Sequence, residues 1–400
     1  MEALAQLKML SDQMDLEPDG EQRPGCSPAQ NSRCWVVPKE AIPTAPTDPH
    51  KLEQVFVHPA QMPNGKNIKL LKTLLSSACE RDCFYCPFRA GRDFRRATFK
   101  PQEFANLFAE LARKGAAEGI FLSSGIAAGG MTTQDKLLDT ADILRNRLGF
   151  RGYIHLKIMP GAEKAQVERA MQLADRVSIN LEAPNTARLA KLAPHKVFME
   201  ELLQPLKWVD EIRRSTPPVK AWNQRWPSSV TQFVAGGADE SDLELLSTTE
   251  YLHKTVHLKR AYFSAFHPIL DTPLENKAPV DPLREHRLYQ ASFLLRDYGF
   301  GLEELPFSTE GNLPLPDDPK QAWAQANLSE RPLELNRAEY AQLMRVPGIG
   351  PKGAQAILKA RRSGTLRELS TLKKLGIVAE RVAPYVLLDG KRATTQPALF

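Results

Sequence analysis

Short apolar runs alternate with longer segments of helical spacing between residues 69 and 298 of this 400-residue sequence. Such alternation is typical of βα units arranged around a parallel sheet. Six consecutive units without a dinucleotide-binding glycine fingerprint favour an α/β fold with an open, partial (β/α)6 TIM-like barrel over a Rossmann sheet. In that fold the C-terminal ends of the strands carry the chemistry. The six predicted strands are Leu70–Leu75, Ile120–Ser123, Tyr153–Ile158, Val177–Leu181, Val230–Val234 and Arg260–Phe266.

Two helix starts are indicated by a hydroxyl residue that is followed three positions later by an acid. These pairs are Thr132 with Asp135 and Ser241 with Glu244. In this capping-box spacing the hydroxyl and the carboxylate bond free N–H groups of the first helical turn. Each pair therefore predicts a helix that begins at its hydroxyl residue.

Three of the five cysteines fall within eight residues, directly after the first predicted strand. The segment reads Cys79-Glu-Arg-Asp-Cys83-Phe-Tyr-Cys86. Three thiolates on one tight loop can hold three irons of a cubane and leave the fourth iron without a protein ligand. A structural zinc site needs four ligands, and this spacing offers three.

The zinc alternative stays open if the N-terminal residues supply a fourth ligand, which would be Cys26, Cys34 or His58. For Cys26 and Cys34 the default interpretation is a buried structural thiol.

The cysteine segment resembles the CxxxCxxC motif of the radical S-adenosylmethionine (SAM) superfamily, which follows the first strand of a partial barrel. The aromatic residue before the third cysteine, Tyr85, also fits that family. The resemblance implies a [4Fe–4S] cluster at Cys79, Cys83 and Cys86, whose open iron chelates the amine and carboxylate of SAM. It further implies reductive cleavage of SAM to a 5′-deoxyadenosyl radical, with an electron donor such as flavodoxin or ferredoxin.

The same resemblance places SAM contacts at the C-terminal ends of later strands. Ser123-Ser124-Gly125 stands where the family usually has a Gly-Gly-Glu turn that presents backbone groups to the methionine amine. Residues around the fourth strand are expected to meet ribose or carboxylate, and residues after the fifth and sixth strands to cradle ribose and adenine. Ordinary turn chemistry at strand ends is the alternative for the polar residues and the glycines. In chain order the residues are Ser178, Asn180, Glu182, Gly236, Gly237, Phe266 and His267.

Two groups of basic residues have two interpretations each. Lys157, on the third strand with His155, is expected either to orient a carboxylate or phosphate of a ligand, or to pair with Glu182 across neighbouring strands. Five arginines around the cysteines form either a solvated basic surface or a steering site for a phosphate-bearing substrate, since guanidinium groups bind phosphate in a bidentate manner. They are Arg81, Arg89, Arg92, Arg95 and Arg96.

Composition excludes several classes of protein. Hydrophobic residues make up 42% and charged residues 25%, which is close to globular averages and unlike disordered or disulfide-dense chains. No apolar run approaches the ~18 residues that span a bilayer, and the N-terminus lacks a basic stretch before an apolar one. The cysteines are clustered and their number, five, is odd, which favours a reducing compartment. The sequence therefore predicts a cytoplasmic protein with no membrane association.

The net charge of +6 is concentrated at the C-terminus. Residues 337–400 contain 12 Lys and Arg against 4 Asp and Glu, whereas the preceding 336 residues contain 41 against 43. Such a local excess of positive charge points to a polyanionic partner for this segment.

Residues 343–354 resemble the helix-hairpin-helix motif of DNA-binding proteins that lack sequence specificity. Its two glycines allow a tight turn and direct N–H groups outward at a helix start, where a DNA phosphate can bind. Duplex DNA is favoured over RNA because the motif carries no aromatic stacking platform. The alternative is a helical hairpin used for packing or for binding another protein. The predicted DNA-binding residues are Gly348, Ile349, Gly350, Lys352, Lys359 and Arg361, of which Ile349 also fills the small core.

Together, the barrel and the hairpin resemble a family of DNA modification or repair radical SAM proteins, some of which are linked to a uracil-DNA-glycosylase-like partner. The sequence predicts an N-terminal helix and irregular arm (1–65), the barrel (66–300), a linker (301–336) and a small all-α helix-hairpin-helix domain (337–400). Two alternatives remain open: a radical SAM enzyme that acts on RNA or protein, with the tail as a docking module, and a non-catalytic metal-containing DNA-binding protein.

Overall fold

The computed structural model describes residues 3–14, 57–61 and 67–392. Contacts between residues divide the chain into two compact units. The first comprises the described residues up to Glu240 together with Leu252–Val280, and the second comprises Ser241–Tyr251 and the described residues from Asp281 onward. None of the described helices is long and apolar enough to cross a bilayer.

The first unit is built on a seven-stranded sheet whose strands follow one another in chain order. Strands β2 to β7 are parallel, and β1 pairs antiparallel with β2. Side chains from all seven strands line one cavity, so the sheet is curled into a partial barrel. The strands are β1 (Val57–Gln61), β2 (Asn67–Leu74), β3 (Gly119–Ser123), β4 (Tyr153–Lys157), β5 (Arg176–Ser178), β6 (Ser228–Ala235) and β7 (Arg260–Ala265).

Each of the six parallel strands overlaps one of the six predicted runs, which confirms the α/β partial-barrel fold. Helices connect successive strands, and the predicted N-terminal helix is present as α1, with Leu7 and Leu10 fully buried. The helices are α1 (Ala3–Met14), α2 (Pro101–Arg113), α3 (Gly130–Asp142), α4 (Lys164–Leu173), α5 (Thr186–Leu192), α6 (Gln204–Ser215) and α7 (Asp242–Thr255); π-helical turns occupy Ile143–Arg147 and Phe198–Leu203, and a 3-10 turn occupies Pro218–Lys220.

The two predicted helix starts have opposite outcomes. At α7 the prediction is confirmed, because the Ser241 N–H donates to the Glu244 carboxylate at 2.9 Å and the Glu244 N–H donates to the Ser241 hydroxyl at 3.2 Å. At α3 it is wrong. The helix begins at Gly130 after Gly129, whose φ of 87° suits glycine, so Thr132 already lies inside the helix.

The second unit is a helical assembly around its own apolar core. Its core includes Ala324, Leu335, Leu343, Ile357 and Val382, all essentially fully buried. Its elements are α8 (Pro282–Asp297), a 3-10 turn at Leu302–Glu304, α9 (Pro319–Leu328), β8 (Leu333–Glu334), α10 (Tyr340–Leu343), α11 (Pro351–Ala360), α12 (Leu369–Lys374), α13 (Ala379–Val382), a 3-10 turn at Ala383–Tyr385, β9 (Val386–Leu388) and β10 (Lys391–Arg392).

Two features of the C-terminal unit differ from the sequence-based description. The prediction of an all-α domain is wrong, because β8 pairs parallel with β9, which pairs antiparallel with β10. The predicted linker, residues 301–336, also contributes α9 and β8, and its Ala324 and Leu335 lie in the same core as the hairpin. A boundary at residue 336 therefore cuts through that core.

Candidate metal centre and nucleic-acid interface

The cysteine segment lies on a loop that leaves the C-terminal end of β2 and is closed at its base. Ser76 and Thr98 form an isolated antiparallel bridge, and their hydroxyl oxygens are 2.6 Å apart. One step further in, the Ser77 N–H donates to the Ala97 carbonyl at 2.9 Å, and the Ala97 N–H donates to the Ser77 hydroxyl at 3.0 Å. The fold thus presents the three cysteines where parallel-strand barrels place their chemistry.

The turn after β3 packs directly against the first cysteine. The Gly125 N–H donates to the Ser76 carbonyl at 2.7 Å, and a Cβ at Gly125 would lie 2.4 Å from the Ala78 carbonyl oxygen. The next amide, of Ile126, donates to the Cys79 sulfur at 3.4 Å. A hydrogen bond from an amide to sulfur favours the thiolate form. Position 125 requires glycine because its backbone lies so close to that of Ala78.

The other two predicted residues of this turn serve mainly to place it. Ser123 is buried, and its carbonyl accepts the Leu75 N–H at 2.8 Å. The Ser124 hydroxyl donates to the Gly125 carbonyl at 2.7 Å. Both residues follow β3 beside the cysteine loop, and the Ser123 carbonyl is fixed by the pairing with Leu75. Their contact with SAM stays a prediction.

A buried ion pair lies beside the second and third cysteines. Lys196 Nζ is 3.0 Å from Glu182 Oε1, and the two side chains are 10% and 6% exposed. The Tyr85 hydroxyl also donates a hydrogen bond to the Glu182 carboxylate. Burial alone raises the pKa of Glu182, but the neighbouring Lys196 and Lys157 charges and the Tyr85 hydroxyl bring that pKa below its usual range. Tyr85 and Glu182, predicted separately, therefore belong to one cluster.

Charges around the cysteines act in opposite directions on their pKa values. Burial raises the pKa of the Cys83 thiol, and the Lys196 ammonium opposes that shift. Burial likewise lowers the pKa of Lys196, but the negative charges of Cys83 and Glu182 outweigh burial and raise it above its usual value. Lys196 is thus held protonated next to the cysteine loop. No spacing rule identified Lys196, because it comes from a loop more than 100 residues away in sequence.

The three thiols and the adjacent Lys196 charge suit an anionic iron–sulfur cluster. Among the described residues, no group of three or more His, Cys, Asp or Glu side chains converges on a single metal ion. Cubane cysteines do not need to converge, because each binds a different iron. His58 lies on β1 opposite Leu70, and Cys26 and Cys34 lie outside the described residues.

The arginines near the cysteines mainly hold the loop together. Arg96 donates from its two terminal nitrogens to four backbone carbonyls, those of Ser77, Phe88, Arg89 and Arg92. Arg81 bonds the His195 carbonyl at 2.5 Å and the Glu201 carboxylate at 2.6 Å. Arg92 bonds two further carbonyls, those of Pro87 and Leu270. For these three residues, steering of a phosphate-bearing substrate is replaced by a structural role.

The glycine turn after β6 is stabilised by a carboxylate that sequence reasoning missed. Glu240 is 3% exposed and accepts the N–H groups of Gly236 and Ala238. At Gly237 a Cβ would lie 2.7 Å from a methyl carbon of Leu192, and the Gly237 carbonyl accepts the Lys277 ammonium at 3.0 Å. The turn is therefore closely packed, and the sequence pattern indicated only its two glycines.

The predicted residues after β7 join this turn. Phe266 is 1% exposed and contacts the Gly237 position, and its N–H donates to the Ala235 carbonyl at 2.9 Å. Burial lowers the pKa of the adjacent His267. The structure thus brings the candidate residues of β6 and β7 together at one edge of the barrel.

Residues of β4 and β5 point into the barrel rather than to its rim. Lys157 lies opposite Ser178 in the register of the two strands, and Ser178 lines the internal cavity with His155 and Asn180. The Asn180 amide lies 3.5 Å from the Gln232 side-chain oxygen. Ser178 and Asn180 therefore face the barrel lumen, whereas Glu182 faces the cysteine loop.

The C-terminal hairpin connects α10 and α11. Gly348 has φ +85°, and a Cβ there would lie 3.0 Å from the Val378 carbonyl oxygen. Gly350 precedes α11 without a side-chain cap, and Pro351 begins the helix. Ile349 between the glycines is 1% exposed and belongs to the core. The hairpin therefore has the conformation that the sequence predicted, with Ile349 as a packing residue.

The basic residues of the hairpin divide into two groups. Lys352 and Lys359 are exposed, and neither forms an ion pair within the described part of the chain. Arg361 donates instead to the backbone carbonyls of Leu335, at 3.2 Å, and Ala338, at 2.6 Å. Instead of the predicted contact with DNA, Arg361 has a structural role, because its guanidinium holds the segment between β8 and α10.

Comparisons with known proteins cover the two units separately. A family model described as "Helix-hairpin-helix motif" matches residues 329–381, so the C-terminal unit contains that motif. No curated protein matches the sequence.

Among solved structures, methylornithine synthase (PylB) is 14% identical, with a TM-score of 0.43 over 57% of this chain and 62% of that chain. A radical SAM methyltransferase from Sphaerobacter thermophilus is 14% identical, with a TM-score of 0.43 over 67% and 77%. The FeFe-hydrogenase maturase HydG from Carboxydothermus hydrogenoformans is 15% identical, with a TM-score of 0.43 over 57% and 51%. The chain thus spans less than two thirds of the synthase and of HydG.

Proposed function

We propose that this protein is a radical SAM enzyme that modifies or repairs DNA. The observation that carries the proposal is the placement of the CxxxCxxC motif on a loop at the C-terminal end of β2 in a partial (β/α)6 barrel. The helix-hairpin-helix motif in the same chain supports DNA as the macromolecule that is bound.

Cys79, Cys83 and Cys86 would hold the cluster. When bound there, a [4Fe–4S] cluster and SAM supply a 5′-deoxyadenosyl radical after one-electron reduction. The Ile126 amide, at 3.4 Å from the Cys79 sulfur, stabilises negative charge on that ligand. Lys196 adds a positive charge beside Cys83 and Cys86.

Other residues of the site hold the loop in place. Loop closure at Ser76 and Thr98, the carbonyl contacts of Arg96 and the Arg81–Glu201 ion pair fix the positions of the three thiols. Such preorganisation lowers the conformational entropy lost when a ligand binds.

The C-terminal unit would bind duplex DNA through its phosphates. Backbone N–H groups at the start of α11 suit a phosphate oxygen, and Lys352 and Lys359 are exposed on the same helix. Phosphates are the same at every base pair, so we expect little sequence preference. The electron donor, of the flavodoxin or ferredoxin type, and the uracil-DNA-glycosylase-like partner stay predictions from the resemblance.

Anaerobic reconstitution tests the catalytic part of the proposal. We expect about four irons per chain and formation of 5′-deoxyadenosine from SAM under dithionite. Alanine at Cys79, Cys83 or Cys86 should abolish product formation, while Cys26→Ala, a matched change outside the motif, should retain it. A triple variant that still cleaves SAM would refute the assignment.

A modification of RNA or protein remains the second candidate function, because helical hairpins also bind proteins. Competition between duplex DNA and RNA for the reconstituted protein distinguishes the DNA-acting enzyme from the RNA-acting one. Binding of RNA in preference to duplex DNA would favour the second candidate.

A further inference from the structure

The interior of the partial barrel contains a cavity of about 60 Å³, lined by both polar and apolar side chains. Inward-facing side chains of successive strands line it, including Lys72 of β2, His155 of β4, Arg176 and Ser178 of β5, and Tyr262 of β7. A packed barrel interior is usually filled by branched apolar side chains. The polar lining of this lumen therefore requires an explanation.

Two buried polar atoms in the lumen have no hydrogen-bond partner among the described residues. They are the Oγ of Ser178, a residue that is 4% exposed, and the Nε2 of His155. Buried polar atoms are nearly always paired, so unpaired ones indicate an absent partner. Phe121 packs against the His155 ring, with centroids 4.4 Å apart, and fixes its orientation.

The lumen also carries positive charge. Lys72 and Arg176 line the cavity, and within the described residues no Asp or Glu does so. The Arg176 guanidinium is aligned by Ser228, at 3.2 Å from its Nε, and by the Tyr262 hydroxyl, at 3.3 Å from one terminal nitrogen. Burial lowers the pKa of His155 well below its usual value, and the Arg176, Lys157 and Lys72 charges add to that shift. A neutral imidazole can donate one hydrogen bond at low cost beside these cations.

The cavity extends along the strands towards the cysteine loop. Arg176 begins β5, Ser178 ends it, and Asn180, two residues beyond, also lines the cavity. At ~3.3 Å per strand residue, Arg176 and Asn180 are about 13 Å apart along the direction of the strand. A ligand whose charged end lies near Arg176 would therefore direct its other end towards the C-terminal ends of the strands.

We propose that the lumen binds the phosphate or carboxylate group of a small organic anion, held by Arg176 and by hydrogen bonds from Ser178 and His155. Guanidinium groups bind both anions in a bidentate manner, which explains the need for an aligned Arg176. This site goes beyond the proposed function, and the binding of the anion does not depend on it.

Isothermal titration calorimetry on the full-length reconstituted protein tests the site. Inorganic phosphate and acetate serve as probes at constant ionic strength, with chloride as the balancing salt. We expect saturable binding of one probe, which also identifies the anion class. Arg176→Gln should weaken it about tenfold or more, and Ser178→Ala by a smaller factor.

Ser178→Ala removes a hydroxyl without a partner, so it should not lower the melting temperature of the free protein. This keeps the test valid if Arg176→Gln folds poorly. Arg151→Gln, at an exposed residue before β4, is the charge-matched control and should bind as the wild type does.

Three outcomes would overturn the proposal. The first is no saturable binding, which would assign the cavity to water. The second is a probe affinity in Arg176→Gln and Ser178→Ala that equals the wild-type affinity. The third is binding that is lost in Lys352→Gln or displaced by duplex DNA, which would place the anion at the hairpin. Because none of these measurements involves SAM cleavage, failure of the lumen site and failure of the proposed function are distinguishable.

Discussion

Lys196 Nζ lies 3.0 Å from Glu182 Oε1 in a buried ion pair that connects the loop after α5 to the end of the β5 segment. Glu182 has φ +64°, a backbone conformation that a non-glycine residue rarely adopts. Tyr85, between the second and third cysteines, bonds the same carboxylate. This pair therefore connects the cysteine loop to two segments that lie about 100 residues later in the chain.

Removal of one partner of this pair should be strongly destabilising. Lys196→Met leaves a buried carboxylate without its cation, and we expect a loss of about 3–5 kcal/mol in the free energy of unfolding. Glu182→Gln combined with Lys196→Met removes both charges and should recover much of that loss. Denaturant unfolding of the two single variants and the double variant measures the coupling; additive losses would contradict a direct interaction.

The pair should also make stability depend on pH in the acidic range. The folded-state pKa of Glu182 is below its unfolded value, so its contribution is complete above the unfolded pKa and is lost as pH falls through the folded one. We expect the wild type to lose more stability than Glu182→Gln on acidification below about pH 4.5. Parallel acid-unfolding curves would show that the carboxylate is not stabilised.

Gly125 should be intolerant of any side chain. A Cβ would lie 2.4 Å from the Ala78 carbonyl oxygen and 3.2 Å from the Cβ of Cys79, so Gly125→Ala must displace the cysteine loop. We expect a loss of about 1–3 kcal/mol in stability and a reduced iron content after reconstitution. Gly364→Ala is the control, because a Cβ there meets no atom within 4 Å. Normal iron loading in Gly125→Ala would mean that the turn is not closely coupled to the loop.

The sequence predicted the parts of the fold that depend on local pattern. Apolar runs located all six parallel strands, and the Ser241–Glu244 spacing located a helix start. The antiparallel strand β1 was missed because Val57–Gln61 contains Pro59, which demotes a strand prediction. The Thr132–Asp135 spacing failed because a glycine earlier in the chain already begins the helix.

Site residues were predictable only where spacing encodes them. The three cysteines lie within one short segment, so their proximity is visible in the sequence. Glu240 bonds N–H groups two and four residues earlier in its own turn, a local arrangement that the two glycines did not reveal. Lys196 acts through a contact with Glu182, and no local sequence pattern predicts that partner. Arg96 and Arg361 were misjudged for the same reason, since their carbonyl partners are set by loop geometry.

Neutralising the exposed hairpin lysines should weaken DNA binding without affecting SAM cleavage. Removal of residues 337–400 is unsuitable as a test, because it would cut the core that includes Ala324 and Leu335. Lys352→Gln and Lys359→Gln should each reduce the slope of log affinity against log salt by about 0.9 if each lysine contacts one phosphate. Titration of labelled duplex at several salt concentrations measures this slope. Arg147→Gln, at an exposed residue of the barrel unit, is the control, and an unchanged slope in both lysine variants would favour a docking role for the hairpin.

Lys320 should make the stability of the C-terminal unit rise with pH above neutrality. Its ammonium lies in the core, 2.6 Å from the carbonyl oxygen of Ile349 in the hairpin and 4.7 Å from the centre of the Tyr298 ring. Burial lowers the pKa of Lys320 to about 7, whereas a lysine in an unfolded chain titrates near ~10.4. Between these values the unfolded state binds one more proton than the folded state, so the free energy of unfolding increases with pH by up to about 1.4 kcal/mol per unit. Lys320→Met removes the titrating ammonium group. Denaturant unfolding at pH 7, 8 and 9 measures the free energy of unfolding of both proteins. The difference between them should shift steadily in favour of the wild type as the pH rises. A difference that stays constant over this range would show that Lys320 keeps its proton when folded and that the hairpin is held by a permanent cation.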